Sequence, residues 1–203
     1  MSRNSHLKSL DISGVDLSRV DPEILAIAVA RLEAVTLSGT RINNDQVVSI
    51  FSEMSQNTVM KEIDFKLSSD FILSSVAPEV LASALIRLEE VRAVAFGITD
   101  DQAKALFGEM AQNSQNCNLK KLSLYGGDFS AVDPEVLVTA VTNVKEVCLC
   151  DSDLGLEQIT SIFTHVLQGE KKLRELDLGH IRGAATNVNQ EVVRKVKEKL
   201  KGN

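Results

Sequence analysis

The chain repeats with a period of 56 residues, and this period constrains its fold more than any other feature of the sequence. A Pro-Glu-(Ile/Val)-Leu motif recurs at Pro22, Pro78 and Pro134. Two further series keep the same spacing, namely Gln46, Gln102 and Gln158, and Phe51, Phe107 and Phe163. Such a repeat is typical of a stacked solenoid, in which each unit packs only against its neighbours. Repeated residues are then expected to hold the fold, and function is expected where the repeat fails.

Each period contains two units, and every unit opens on the pattern apolar-x-x-apolar-x-apolar. The pattern occurs seven times, at 7–12, 32–37, 60–65, 88–93, 119–124, 144–149 and 173–178. Its last two apolar residues are two apart, so they share one face of a short strand. The openings lie about 28 residues apart, which leaves room for one helix and two turns. We therefore predict an α/β fold, a curved solenoid with a parallel sheet on the concave side and helices on the convex side.

The predicted helices begin with recognisable capping residues. In the first and fifth units an acidic N-cap precedes a proline at the first helical position, at Asp21-Pro22 and Asp133-Pro134. In the second and fourth units capping boxes are predicted for Asn43 with Gln46 and for Thr99 with Gln102. Apolar residues at helical spacing follow both kinds of start.

The pattern Leu-x-x-Leu-x-Leu followed by a helix, in units of about 28 residues, resembles a leucine-rich repeat. The two alternating unit types resemble the ribonuclease-inhibitor-like class, which includes the sensor tails of NLR-type innate immune receptors. The resemblance covers residues 7 to 183. It implies a module that binds a partner protein, in an intracellular immune-sensing or regulatory role. We assign residues 1–186 to a leucine-rich-repeat domain of about seven strand-helix units, and 187–203 to a C-terminal capping helix.

The chain departs from the family pattern at one position of each unit. The family usually has Asn or Cys three residues after the last apolar strand residue. Here six of the units have Val15, Thr40, Phe96, Gly127, Ser152 and Ile181. We expect the loop backbone to be satisfied instead by Thr and Ser hydroxyls, by main chain or by water.

Composition narrows the function classes. The net charge of −6 argues against a nucleic-acid-binding protein, which must neutralise phosphates with a basic surface. No run approaches the roughly 18 apolar residues of a membrane span, and the first residues lack the apolar stretch of a signal peptide. Three cysteines do not form a disulfide framework. We expect a cytoplasmic protein that binds neither nucleic acid nor membrane.

The sequence contains no catalytic motif, and we predict neither an enzyme nor a cofactor. The histidines stand far apart, at His6, His165 and His180. Cys148 and Cys150 share one strand face, but a metal site would need two further ligands. The neighbouring strands offer Ser123, Tyr125 and Asp177, which is a poor set for a soft metal. We interpret the two cysteines as small residues on a strand.

The strand residues that alternate with the buried ones form the predicted partner-binding surface. We select Asp11, Glu62, Asp64, Glu90, Arg92, Lys121, Tyr125, Glu146 and Asp177. The whole face has seven acidic residues against three basic ones, which favours a basic protein partner. Tyr125 is the best single hot spot, because Tyr and Arg dominate such sites. A more basic strip is predicted along one edge, at Lys8, Lys61, Lys120, Lys145 and Arg174.

Three alternatives stay open. The chain could activate a GTPase, with Arg41 or Arg92 as an arginine finger. It could be an architectural assembly module, since the first strand pattern begins at Leu7 and leaves an uncapped edge for self-association. Finally, an insertion at 65–77 and a polar stretch at 112–118 interrupt units three and four, through drift or as binding features.

Overall fold

A computed structural model describes residues 7–56, 59–65, 73–94, 97–168, 172–182 and 198, and within them strands and helices alternate. The strands are β1 (Ser9–Asp11), β2 (Ala34–Thr36), β3 (Glu62–Phe65), β4 (Glu90–Val94), β5 (Lys121–Tyr125), β6 (Glu146–Cys148) and β7 (Glu175–Asp177). The helices are α1 (Pro22–Ala30), α2 (Asn44–Gln56), α3 (Pro78–Leu85), α4 (Asp100–Gln112), α5 (Pro134–Thr142) and α6 (Leu156–Gln168), with a short 3-10 turn at Leu73–Ser75. Each of the seven opening patterns therefore contains a strand, as predicted.

The seven strands form one parallel sheet in which every strand lies beside its sequence neighbour. The order is β1-β2-β3-β4-β5-β6-β7. Equivalent residues of successive units face each other in register, so that Leu10 pairs with Val35 and Val35 with Ile63. Each new strand is added at the same edge of the sheet. The α/β class and the parallel sheet are confirmed, and the arrangement is compatible with a solenoid.

The predicted helix starts are confirmed. Asp21 accepts hydrogen bonds from the backbone N–H groups of Glu23 and Ile24, both at 3.0 Å, ahead of a proline in the first turn. Asp133 caps α5 in the same way. Thr99 and Gln102 form the complete capping box of α4. These side chains satisfy backbone donors that the first helical turn leaves unpaired.

A single apolar core runs between the sheet and the helices along the described units. The second residue of each of five strands is at most 3% exposed, at Val35, Ile63, Val91, Leu122 and Val147. The recurring phenylalanines join this core, since the Phe51 ring stacks on Phe65 with centroids 5.2 Å apart. Phe107 meets Phe129 edge-on at 5.3 Å. The period in Phe therefore reflects packing between neighbouring units.

The recurring glutamines have a second role that the sequence analysis missed. Gln46, Gln102 and Gln158 are each at most 2% exposed. The amide nitrogen of Gln102 donates to the backbone carbonyls of Leu73 and Val76, at 2.7 and 2.6 Å. The other two glutamines bond equivalent carbonyls of the preceding unit. Each of these buried glutamines thus caps its own helix and also binds the backbone of the preceding unit.

Hydroxyls and main chain satisfy backbone carbonyls at the strand ends, as expected. The Thr40 hydroxyl donates to the carbonyl of Ile12 at 2.8 Å. The Ser152 hydroxyl donates to the carbonyl of Cys150 at 3.3 Å, and the backbone N–H of Gly126 donates to the same carbonyl at 3.0 Å. The turn after a strand has a positive φ at Gly14, Gly39 and Gly126, and Asp151 adopts 57° at the equivalent position of the sixth unit.

Two of the predicted features fall wholly or partly outside the described residues. These are the capping helix over 187–203, apart from Glu198, which is helical, and residues 66–72 of the third-unit insertion. The polar stretch of the fourth unit is described, and Asn118 bonds the backbone of Ile86 and Arg87 in the preceding unit. Among the described residues, no helix is both long and apolar enough to cross a membrane.

Candidate functional site: the open face of the sheet

The sheet has one face turned away from the helix-packed residues, which we call the open face. It consists of two in-register rows of side chains, one residue from each strand in each row. The first row is Ser9, Ala34, Glu62, Glu90, Lys121, Glu146 and Glu175. The second row is Asp11, Thr36, Asp64, Arg92, Ser123, Cys148 and Asp177, and Tyr125 follows on β5 opposite Val94. All nine predicted partner-binding residues therefore lie on this face.

Within the part of the chain that the structure describes, the open face has two cations, and both are paired with acids of the same face. The Arg92 guanidinium lies 2.5 Å from a carboxylate oxygen of Glu90. Lys121 Nζ lies 3.0 Å from a carboxylate oxygen of Glu146, and this hydrogen bond raises the pKa of Lys121 above its usual value. Pairing cancels both positive charges locally. The field of the face therefore comes from its remaining carboxylates, including Asp11 and Asp177.

Asp11 shows how a carboxylate is kept ionised on this face. Its Oδ1 accepts the backbone N–H of Ser13 at 2.9 Å and the Ser13 hydroxyl at 2.5 Å. These hydrogen bonds lower the pKa of Asp11, because they favour the charged form. Asp177 likewise accepts a hydrogen bond from the backbone N–H of the residue two positions later, Gly179, at 2.9 Å. The first and last strands thus end in similarly oriented carboxylates.

A hollow of about 180 Å³ crosses β5, β6 and β7 on the open face. Four of the predicted residues line it, Lys121, Tyr125, Glu146 and Asp177. Its other lining residues are Ser123, Val147, Cys148 and Glu175. The remaining predicted residues lie outside its lining, at Asp11, Glu62, Asp64, Glu90 and Arg92. The structure therefore gathers the C-terminal part of the predicted set into one concavity, and distributes the rest over β1, β3 and β4.

The predicted basic strip is partly neutralised by two acids that interrupt it, Glu33 and Glu89, which pair with three of its five cations. Glu33 lies between two lysines, with its oxygens 2.9 Å from Lys8 Nζ and 2.8 Å from Lys61 Nζ. Hydrogen bonds from these two ammonium groups lower the pKa of Glu33 to about 2. Glu89 forms an ion pair with Lys120 in the same way. The sequence analysis identified the cations of this strip but did not account for the acids between them.

The interpretation of Cys148 and Cys150 as two separate small residues on a strand is wrong. Their sulfur atoms are joined in a disulfide, with the Cα atoms 5.5 Å apart. The third cysteine, Cys117, is a free thiol, and burial raises its pKa. The two-residue spacing signalled proximity of the sulfurs. The sequence analysis placed both side chains on one strand face, but it did not account for the turn after β6, which brings Cys150 toward Cys148.

The Cys148 and Cys150 sulfurs also lie close to a carboxylate. One ligand atom from each of Cys148, Cys150 and Asp177 falls within 4.8 Å of the others. Among the described residues this is the one group of three His, Cys, Asp or Glu side chains with such spacing. His165 is on α6 and His180 is in the turn after β7, so those two histidines remain apart.

Both arginines considered for a GTPase-activating role form ion pairs with acids. Arg41 Nη1 lies 3.4 Å from a carboxylate oxygen of Asp16, and Arg92 pairs with Glu90.

Compared with known proteins, the chain matches no protein-family model and no curated protein significantly. The open face, with its hollow and its sulfur pair, is therefore interpreted from its own chemistry.

Proposed function

We propose that this chain is a leucine-rich-repeat solenoid of the ribonuclease-inhibitor-like class that recognises a partner protein. The open face forms the concave side and the helices form the convex side. Seven strands in sequence order, one continuous core and the 56-residue period support this proposal. The setting is an intracellular, cytoplasmic one, in innate immune sensing or regulation, as the resemblance to that class implies. The chain acts by binding and has no catalytic activity of its own.

One observation supports recognition most directly, the contrast in chemistry along the second row of the open face. From β1 to β7 this row changes between acid, hydroxyl, guanidinium and sulfur, although the backbone positions are equivalent. Packing does not require such variation. A regular array that presents different side chains at fixed spacing is how solenoids form extended binding surfaces.

The partner surface is basic. Once Arg92 and Lys121 are paired, carboxylates dominate the open face, and a positively charged segment would approach it quickly and in a salt-dependent manner. Tyr125 lines the hollow together with Lys121 and gives a rigid, amphipathic contact. Glu175 and Asp177 lie at the other side of the hollow and would receive Lys or Arg side chains.

The experiment selects a peptide ligand from a random library on the immobilised full chain, and then measures its affinity by fluorescence polarisation. We expect enrichment in Lys and Arg, and a loss of affinity as salt increases. Tyr125→Ala together with Asp177→Asn should weaken binding at least about 30-fold, in the range of a hot spot. Lys104→Ala, on the exposed surface of α4, is the matched control and should bind like the wild type. If the affinity of the selected peptides is unchanged by the open-face variant but reduced by Lys104→Ala, the binding site lies on the helices instead.

A second candidate, assembly through the first unit, is favoured by its exposed apolar side chains. Ile24 and Ile27 on α1 are 66% and 41% exposed, and Leu7 before β1 is 52% exposed. We expect a second copy of the chain to cover them, so that sedimentation shows a dimer that dissociates on dilution. Ile24→Lys with Ile27→Lys should give a monomer, whereas Leu156→Lys, another exposed apolar position, should not. A wild type that is monomeric at every concentration would contradict this candidate.

A further inference from the structure

The disulfide between Cys148 and Cys150, at the end of β6, is expected to contribute little to the stability of the fold. A disulfide stabilises mainly by shortening the loop that the unfolded chain can explore, and its effect increases with loop length. Only one residue separates Cys148 from Cys150. Such a small ring restricts the unfolded chain very little. The pair lies at the open face, where Cys148 lines the hollow, and this position suggests a chemical role instead.

The surroundings of the pair supply a third donor of fixed orientation. Asp177 stands opposite Cys148 in the β6–β7 register, and its Oδ1 is held by the backbone N–H of Gly179 at 2.9 Å. A Cβ atom at residue 179 would lie 3.2 Å from that oxygen and 4.0 Å from Cys150 Sγ. Glycine therefore leaves the space between the carboxylate and the sulfur open. A hydrogen bond to a ligating carboxylate is the usual support around a protein metal site.

We propose that Cys148, Cys150 and Asp177 form a binding site for a thiophilic divalent cation such as Zn²⁺, which is available when the two cysteines are reduced and is closed by their disulfide. The sulfur and oxygen atoms already lie within 4.8 Å of one another. Donors in a tetrahedral zinc shell lie roughly 3.5–3.8 Å apart. The fourth ligand would be a water molecule or a donor of a bound partner.

The disulfide state and the cation-bound state of the site are linked by reduction followed by cation binding. A dithiol reductant gives two electrons and two protons to the Cys148–Cys150 bond, which yields two thiols and leaves the reductant as a cyclic disulfide. Binding of Zn²⁺ then displaces one proton from each thiol, so two protons are released. The reduced sulfurs move apart to van der Waals contact, which is also about the separation that tetrahedral ligation needs. A two-electron acceptor such as a diazene takes two electrons from the two thiolates and two protons from solution, which re-forms the disulfide and releases the cation.

Cobalt(II) is the probe for this site, because thiolate ligation gives it a charge-transfer absorption that zinc lacks. The full chain with Cys117→Ser is reduced, separated from reductant without air, and titrated. We expect one equivalent of Co²⁺ to bind with this absorption, and Zn²⁺ to displace it. Cys148→Ser or Cys150→Ser should abolish the band. Asp177→Asn should weaken binding at least about tenfold, since even residues that only orient a ligand cost that much.

Asp11→Asn is the matched control. Asp11 occupies the same strand position on β1 and accepts the same backbone hydrogen bond two residues on, but it has no sulfur beside it. It should leave cobalt affinity unchanged. Protein oxidised with diamide, a two-electron acceptor, should lose the band and regain it after treatment with a dithiol. The proposal is overturned if reduced protein shows no thiolate band, if the band survives in the disulfide form, or if Asp11→Asn weakens binding as much as Asp177→Asn. Circular dichroism checks that each variant is folded.

Discussion

The two faces of the sheet are built by the same strands but follow different rules. The face that packs against the helices has a row of branched aliphatic residues in register, at Val35, Ile63, Val91, Leu122 and Val147. The open face changes chemical class from strand to strand over the same length. Close packing tolerates few side-chain shapes, whereas a solvated face tolerates many. The repeat therefore defines the scaffold, and the open face is where one chain of this fold can differ from another.

The difference between the faces is also one of energy. Burial of a large aliphatic side chain stabilises a fold by about 1.5–3 kcal/mol, whereas an exposed ion pair contributes about 0–1 kcal/mol. Substitutions on one face should therefore change stability, and substitutions on the other should change recognition. Neighbouring residues of one strand allow this separation to be tested directly.

The largest effect is expected for Leu122→Ala on β5. Leu122 is fully buried in the core, so its loss removes transfer energy and leaves a cavity, at a cost of about 2–5 kcal/mol in the free energy of unfolding. Lys121→Ala, one residue earlier on the open face, should cost less than about 1 kcal/mol. Urea denaturation of both variants measures the contrast. Equal losses would show that the two faces do not differ as described.

The next largest effect is expected for Gln102→Ala. Truncation of this buried side chain removes its bonds to the carbonyls of Leu73 and Val76 and leaves the N–H of Thr99 without its acceptor. We expect a loss of about 2–3 kcal/mol, since each buried unsatisfied group costs about 1–3 kcal/mol. Gln112→Ala, exposed at the end of the same helix, is the control and should change stability by less than about 0.5 kcal/mol. A neutral Gln102→Ala would show that α4 is held to the preceding unit by packing alone.

Sequence analysis predicted the elements well because their signals are local. A proline after an N-cap acid fixes the start of α1 within four residues, and the opening pattern places each strand. The contact of Gln102 with Leu73 spans 29 residues and depends on how two units stack, which the pattern does not encode. The disulfide was missed for a related reason, since the turn after β6 brings Cys150 back toward Cys148. The approach of Asp177 likewise needs the β6–β7 register.

A smaller effect, and a favourable one, is expected for Ala77→Asp. Residue 77 is the N-cap of α3 and has φ −58° and ψ 137°, close to the −57° and 132° of Asp133 at the start of α5. Only the capping side chain is missing, because Ala77 forms no side-chain cap hydrogen bond. We expect a gain of about 0.5–1 kcal/mol in thermal unfolding, within the usual range for a cap. Asp133→Ala should lose a similar amount, and a destabilising Ala77→Asp would contradict the equivalence of the two helix starts.

The smallest effect is expected where the edge of the sheet depends on charge, at Glu33. Hydrogen bonds from Lys61 and Lys8 lower its pKa from 4.5 to about 2, so the folded state favours the carboxylate. The resulting stabilisation is fully present above pH 4.5 and is lost as the pH falls toward 2. Glu33→Gln should therefore destabilise slightly at neutral pH and become equal to the wild type near pH 2, as measured by urea midpoints along a pH series. High salt should reduce the difference, because the group is exposed. Glu53→Gln on α2, away from this strip, is the control. If the difference in stability between Glu33→Gln and the wild type persists unchanged to pH 2, Glu33 stabilises the fold by packing rather than by charge. The contrast between a packed face and a charged, solvated face would then not hold at this residue.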